Sequence, residues 1–600
     1  MSDPFIFRTP WRPRYEARTL ILTTITASLL AFIAHVQALP DGLFFEALII
    51  LSVPALKRVP KFMWLYFRQH RLHGFKTRVM PLKALRARHL KDPQQLFLGH
   101  GFTWGREEGQ WAHDLLEGHQ GLLRKRPHRP GAHWVHGLAP REQALYQPVE
   151  DGRGHLLIVG TTGSGKTRTF DLLIAQAVFR GEAVIIIDPK GDRDLHLAAV
   201  EACRLVGKEE QFMMFHPAFP ESSIRIDPLR NFTRASELAA RIAQIMPSQG
   251  PGDPFKAYSQ KALDHVIQGM LLGGERPTLL KLRRCFDGGL GDVLSKALER
   301  HCEKIFGEAF KTKIPAIKGS RGDHRAAALI RFYRDHLKTL APLPDLEGLM
   351  ALFEHDATHF SKMVASLLPI LNMLTSGSLG ALLSPDPRNV DDPRRMTDIA
   401  RIIERREVAY FGLDSLSDSL VGSAIGAILL SDLAAVAGQR YNYGKDLSPV
   451  HLFIDEAAEV MNDPCIQLLN KGRGASVHIT IATQTFADFT ARLGSEAKAR
   501  QVLANVNNLI ALRILDAETQ HYVVNNLPII RRRSIMRSHG AIHPGQHPVL
   551  FSGNQNERLE EEDASLFPAA LLGQLPDLHY VGKFAGGLIV KGRLPLLTAP

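Results

Sequence analysis

Two stretches far apart in the chain carry side chains suited to phosphate chemistry. Gly160-Thr161-Thr162-Gly163-Ser164-Gly165-Lys166-Thr167 fits G-x-x-x-x-G-K-[ST] at every fixed position. Glycines let the backbone bend until several N–H groups point at one anion, and the following helix adds its positive end. Lys166 would reach the β- and γ-phosphates of ATP, and the Thr167 hydroxyl would ligate Mg²⁺. Asp455 and Glu456 close the apolar run Val450 to Ile454. A strand end aimed at a P-loop is where a Mg²⁺-holding carboxylate is needed, so Asp455 takes that place and Glu456 polarises the attacking water. Without the P-loop, the pair would read as two solvated acids. Gln484 ends the next apolar run, where it could hydrogen-bond the water and the γ-phosphate or simply cap a strand. Arg473, in Lys471-Gly472-Arg473-Gly474, lies between these runs. It is either an exposed basic loop or an arginine that reaches a neighbouring subunit's nucleotide.

Chemistry of this kind needs strands that end at one edge. Leu156 to Val159 leads into the glycine loop, and Phe170, Leu173, Ile174 and Ala177 continue at helical spacing. Ala183 to Ile187 ends in Asp188-Pro189-Lys190-Gly191-Asp192. Phe212 to Phe215, Glu407 to Leu413, Val450 to Ile454, His478 to Ala482 and Leu509 to Ile514 are further strand candidates. Runs apolar on both faces and separated by helices predict an α/β fold with a mostly parallel, covered sheet. Between about 230 and 395 that rhythm stops. Helices are predicted at 257–272, 291–306, 324–340 and 358–374, as an all-α insertion in the ATPase core. It carries Lys281, Arg283, Arg284, Lys311, Lys313, Lys318 and Arg321, mostly as solvated faces.

The chain has 600 residues, 45% of them apolar, so several structural parts are expected. A net charge of +12 favours polyanionic partners, nucleic acid or anionic lipid. Four scattered cysteines, without a C-x-x-C pair, speak against a disulfide framework or a zinc site. Arg8, Arg12, Arg14 and Arg18 precede an uncharged run, Thr19 to Leu39, long enough to cross a bilayer. A turn at Pro40-Asp41-Gly42 and a second run, Leu43 to Leu56, follow, then Lys57, Arg58, Lys61, Arg68 and Arg71. Basic flanks at both outer ends predict a two-helix transmembrane anchor with both ends cytoplasmic. A cleaved signal peptide ending near Ala38 is the rival reading, but it would export the P-loop away from ATP. The second run could instead lie in the interface, anchored by Trp64, Tyr66 and Phe67.

Residues 71–150 carry a small strand and turn at Leu96 to Trp104 and a basic cluster, Arg124-Lys125-Arg126 with His128 and Arg129. The cluster reads as a solvated linker or as a phosphate or lipid contact. Arg531-Arg532-Arg533 and Arg537 open a mixed tail, Glu560 to Asp563 is acidic, and a last strand is expected near Gly587 to Val590. The predicted parts are therefore an anchor (1–70), a connecting region (71–150), a nucleotide-binding domain in two pieces (151–230 and 396–530) around the insertion (231–395), and a C-terminal segment closing on the core (531–600).

The ordered motifs resemble the conjugative type IV coupling proteins of TraD/TraG type, near the SXT-like TraD subfamily, within the FtsK/HerA class of P-loop motors. The likeness rests on GTTGSGKT, DPKGD at Asp188 to Asp192, Phe411 to Asp418, FIDEAAE at Phe453 to Glu459, Gly472 to Thr485, Asn505 to Thr519, and Gly586-Gly587 with Lys591-Gly592-Arg593. It implies a RecA-like P-loop ATPase core and a homohexamer on the cytoplasmic face of a bacterial inner membrane. It further implies ATP and Mg²⁺ as cofactors, and DNA bound largely without sequence preference. The implied partners are a relaxase within its relaxosome and type IV secretion channel proteins. Lys166 and Thr167 would be Walker A, Asp455 and Glu456 Walker B, and Arg473 a trans-acting finger. The long acidic C-terminal tail of some relatives is missing before Pro600. Rival functions are an FtsK/HerA-like DNA translocase or protein-secretion ATPase, and a membrane receptor that docks the relaxosome with ATP only structural.

Overall fold

A computed structural model of the chain describes residues 10–598 apart from 13, 38–40, 118–121, 124–130, 140, 153, 247–252, 308–309, 311–321, 356–359, 361, 445–446 and 543–551. The cluster at 124–129 and four of the insertion's basic residues, Lys311, Lys313, Lys318 and Arg321, lie outside the described residues.

One eleven-stranded sheet organises the body. In chain order its strands are β1 (Gln95–Thr103), β2 (Gln143–Pro148), β3 (Leu156–Val159), β4 (Ala183–Asp188), β5 (Phe212–Phe215) and β6 (Val408–Gly412). They continue as β7 (Val450–Ile454), β8 (Val477–Thr483) and β9 (Asn508–Ala511). After a separate hairpin, β10 (Ile529–Ile542) with β11 (Ser552–Ser565), come β12 (His579–Phe584) and β13 (Leu588–Arg593). Across the sheet the order is β2-β1-β13-β12-β9-β3-β8-β7-β4-β6-β5. The strands from β9 to β5 are all parallel, with Val450 beside both Ala183 and Val477, and Leu156 beside Asn508. Except on one face of the edge strand β5, their side chains are mostly buried on both faces, which is why they read as unbroken apolar runs. Parallel register brings Val159, Asp188, Ile454 and Thr483 to one edge, and every expected catalytic loop except that of Arg473 leaves from there.

The connecting region is not a separate module. β1 and β2 extend the sheet antiparallel through β13, with Arg593 beside His100. Strands β10 and β11, 14 residues each, form a long two-stranded arm, about 45 Å if fully extended. Arg531, Arg532 and Arg533 stand opposite Asp563, Glu562 and Glu561, so the basic and acidic runs of the tail are cross-strand partners. The arm's root is held by helix α3 (Arg106–Glu117): Gln110 exchanges two bonds of 2.8 Å with the Arg533 backbone.

At the N-terminus, helices α1 (Tyr15–Val36) and α2 (Asp41–His70) run side by side. Asp41 and Gly42, expected in a turn, are already helical, and Pro40 lies outside the described residues. Apolar side chains of α1, among them Ile21, Leu22, Ile25, Leu29 and Phe32, are exposed, as a lipid-facing helix requires. The foot of the pair is tied by Gln69, which bonds the Arg12 carbonyl at 2.9 Å and accepts from Arg14 at 2.8 Å. Arg68 is buried there, its guanidinium 4.3 Å from the Trp111 ring centroid and 5.8 Å from that of Trp64. A second long apolar helix, α5 (Ser419–Tyr443), is mostly buried beside the sheet and is a core helix.

In the insertion, helices occupy Pro254–Leu272, Gly291–Phe306 and Gly322–His336 near the expected positions. The expected single helix at 358–374 is not one element. Turns precede a short helix, Leu368–Thr375, which Pro369 opens at its first turn. A proline there lacks the N–H a continuous helix would need. The insertion is bolted to α5 by Arg241, whose guanidinium donates to Asp432 at 2.8 Å with both side chains buried. Burial, opposed by Arg241, pushes the Asp432 carboxyl up to about 7. All four cysteines are buried and free.

Candidate nucleotide site

The glycine loop follows β3 directly. Gly160 donates to the Thr483 carbonyl at 3.2 Å, and Thr161 to that of Arg513 at 2.8 Å, so the loop hangs between neighbouring strands. A Cβ at Gly160 would lie 2.6 Å from Ser164 Oγ, so a side chain does not fit. Gly163 has φ +76° and Gly165 φ +117°, values that glycine tolerates without strain. Space above Gly163 is open. Ser164 closes the loop with an N–H and a hydroxyl bond to the Thr161 carbonyl. Helix α4 (Lys166–Phe179) then starts with its free N–H groups at the loop.

Lys166 is buried and donates to the Gly160 carbonyl at 2.9 Å, with Glu456 Oε1 3.5 Å away. Parallel pairing of β7 between β4 and β8 delivers Asp455 and Glu456 to this point. Glu456 takes a left-handed backbone (φ 40°, ψ 53°), a strained setting for a residue with a Cβ. Three donors meet on its Oε1: Lys190 Nζ at 2.6 Å, Gln484 Nε2 at 3.0 Å and Lys166. Gln484 also bridges back to the loop, accepting from Thr162 Oγ1 at 3.4 Å. Burial would raise the Glu456 carboxyl, but Lys166, Lys190 and Gln484 outweigh it and hold it below the usual range. Asp455 is the opposite case. Burial, then the charges of Glu456 and Asp188, push it up to about 7 against the pull of Lys166.

Thr167, partly exposed, and Asp455 offer a hydroxyl and a carboxylate, a hard-oxygen donor set that suits Mg²⁺ and not a soft metal. An added dication would relieve the crowding of acids around Asp455. The loop N–H groups, the open space at Gly163 and Lys166 fit a polyphosphate. The residues present therefore fit ATP with Mg²⁺.

Arg473 is placed elsewhere. Its short helical turn, Gly472–Ala475, precedes β8, so it is exposed at the opposite edge of the sheet, roughly 20 Å from Gln484. There its charge is felt by His155, at the start of β3. It does not join the site within its own chain.

The sequence reading gave no role to Lys190, although Asp188-Pro189-Lys190-Gly191-Asp192 leaves the same sheet edge. The geometry adds a support beneath it. Asp188 accepts from the Lys190 N–H at 3.1 Å and the Tyr410 hydroxyl at 2.7 Å. Leu578 was also missed. It sits at φ +67° beneath the loop, its N–H bonded to the Ser164 carbonyl at 2.9 Å.

The chain is similar to several known proteins. Residues 449–577 match the family described as the TraM recognition site of TraD and TraG. Residues 150–198 match the central domain of helicase HerA. The Type 4 coupling protein DotL of Legionella pneumophila is 37% identical over 133 residues, which cover 21% of this chain. The matched stretch spans 17% of DotL's own length. Among solved structures, the bacterial conjugative coupling protein TrwBdeltaN70 in its unbound form superposes with a TM-score of 0.50 at 16% identity. That superposition covers 84% of this chain and 94% of the other and is a likeness of fold.

Proposed function

We propose that this chain, a relative of the type IV coupling proteins of TraD/TraG type, is an ATP-hydrolysing inner-membrane motor. It would deliver a relaxase-bound DNA strand to a type IV secretion channel. The observation that carries this is the meeting of Lys166, Gln484 and Glu456 at one carboxylate oxygen beside the glycine loop. In this reading Gly160 to Thr167 cradle the phosphates, and Thr167 and Asp455 hold the magnesium, which would neutralise charge developing on the phosphates. Glu456 takes a proton from the attacking water, and Gln484 links that carboxylate to Thr162. Arg473, exposed at the far edge of the sheet, would act only on a neighbour's nucleotide in a ring such as a homohexamer. The net charge of +12 supports sequence-independent, salt-sensitive contact with DNA phosphates. The exposed apolar faces of α1 and α2 support anchoring in the membrane with the ATPase body cytoplasmic.

The test is ATPase rate of the full chain with and without single- and double-stranded DNA, beside DNA transfer by Lys166→Ala. A DNA-stimulated rate, with both hydrolysis and transfer lost in the variant while it stays in the membrane, supports the motor. Transfer that survives without hydrolysis would favour a receptor that docks the relaxosome and uses ATP structurally.

A further inference from the structure

The Lys190 side chain reaches the same carboxylate as Lys166, from a different strand. It follows β4, the strand next to β7 in the sheet, and its bond to Glu456 is the shortest of the three on Oε1. The loop beneath it is fixed. Asp188 accepts from the Asp192 N–H at 2.6 Å as well as from Lys190 and Tyr410. Gly191, at φ +73°, lies so close to His216 that a Cβ would come within 2.7 Å of its ring. Lys190, its side chain 35% exposed, is thus a cation carried on an anchored loop and paired with Glu456.

Glu456 needs such a partner. Its left-handed backbone does not itself fix the carboxylate, and Lys166 stands farther off, 3.5 Å away, and is shared with the Gly160 carbonyl. A bound phosphate would compete with the Gly160 carbonyl and Glu456 for the three donors of the Lys166 ammonium. Where Lys166 turns to a phosphate, Lys190 is, among the described residues, the other cation on Oε1. Among the described hydrogen bonds, all donors to the carboxylate use Oε1, which leaves Oε2 to accept a proton from water.

We propose that Lys190 is a positioning residue for hydrolysis, clamping Glu456 Oε1 so that Oε2 faces the attacking water. This rests on the ATPase reading above. The test uses the full chain in detergent or nanodiscs, comparing wild type, Lys190→Met and Lys190→Arg. Affinity for a magnesium-bound non-hydrolysable ATP analogue is measured first, then kcat and KM. For Lys190→Met the analogue Kd is expected to stay within about threefold of wild type while kcat falls by about tenfold or more, with KM nearly unmoved. Lys190→Arg is expected to recover part of kcat, because a guanidinium can still hold a carboxylate.

Tyr410→Phe loosens the loop without touching Glu456. It is expected to lower kcat less, again at unchanged Kd, and it decides the matter if Lys190→Met does not fold. The inference is overturned if Lys190→Met turns over like wild type or faster. It is also overturned if the analogue Kd rises by the same factor as kcat/KM falls, since Lys190 would then be a nucleotide ligand. A wild-type chain that fails to bind the analogue overturns the ATPase reading itself, and that first measurement tells the two failures apart.

Discussion

Replacing Asp455 by asparagine should make the nucleotide-free protein more stable while disabling its site. Asp455 is buried, beside Glu456 and within reach of the Asp188 charge, and its carboxyl is pushed from an ordinary 3.8 up to about 7. Its ionisation therefore opposes folding. The native state has its full stability below pH 4 and loses this contribution as pH rises through 7. A rise of that size corresponds to about 4 kcal/mol at pH 8. Lys166 loses one of its two nearby carboxylates in the variant, which offsets part of the gain. We expect Asp455→Asn to be more stable by about 2 kcal/mol at pH 8, a gain of a few degrees in Tm. The gain should vanish near pH 4. Thermal melts of the full chain at both pH values, with nucleotide and metal absent, measure it. In parallel, the magnesium dependence of analogue binding should disappear. A variant that melts at or below wild type at pH 8, or a gain that is the same at pH 4, refutes the reasoning that Asp455 is a strained acid waiting for a cation.

Four further outcomes follow from the same structure. Glu456→Gln should bind the ATP analogue normally but hydrolyse ATP about a hundredfold more slowly, measured by phosphate release. Arg241→Met strands a buried carboxylate and should cost about 3–5 kcal/mol at pH 8. Because Asp432 is pushed up to about 7, the loss should be smaller at pH 5, where that group is protonated, and melting at the two pH values checks it. Arg473→Ala should leave analogue affinity unchanged but lower the ATPase rate of assembled rings, and mixing it with Glu456→Gln subunits should restore part of that rate. Leu29→Arg places a charge in α1 at a cost of about 3 kcal/mol of insertion energy, and it should shift protein from the membrane to the soluble fraction.

The parallel half of the sheet was legible because burial on both faces writes itself as short apolar runs. Leu156–Val159, Phe212–Phe215 and Val450–Ile454 could be read to the residue. In the antiparallel half, strands were legible at Leu96 to Trp104 and near Gly587 to Val590, but not that they pair with each other in the same sheet. β1 contains Gly99 and Gly101, which sit so close to the backbone of β13 that a Cβ would clash, and strands packed this closely lose their apolar signature. The pairing of Arg531–Arg533 with Glu561–Asp563 was hidden because charge runs read as solvated tails unless their register is known. Within the site, the P-loop and the acid pair carry local patterns. Lys190 does not, since its partner Glu456 is supplied by a strand 266 residues away. Arg473 reads the same whether it works in trans or idles in solvent, because a local loop pattern cannot specify a neighbour.

The account stands on the glycine loop and the Asp455–Glu456 strand end forming one magnesium-nucleotide site. A double-mutant cycle tests that most directly: equilibrium binding of a magnesium-bound ATP analogue to wild type, Lys166→Ala, Asp455→Asn and the double variant. Residues that share one bound nucleotide should be coupled, so the double variant should lose clearly less affinity than the two single losses combined. Losses that simply add, or single variants that bind as well as wild type, would contradict the claim.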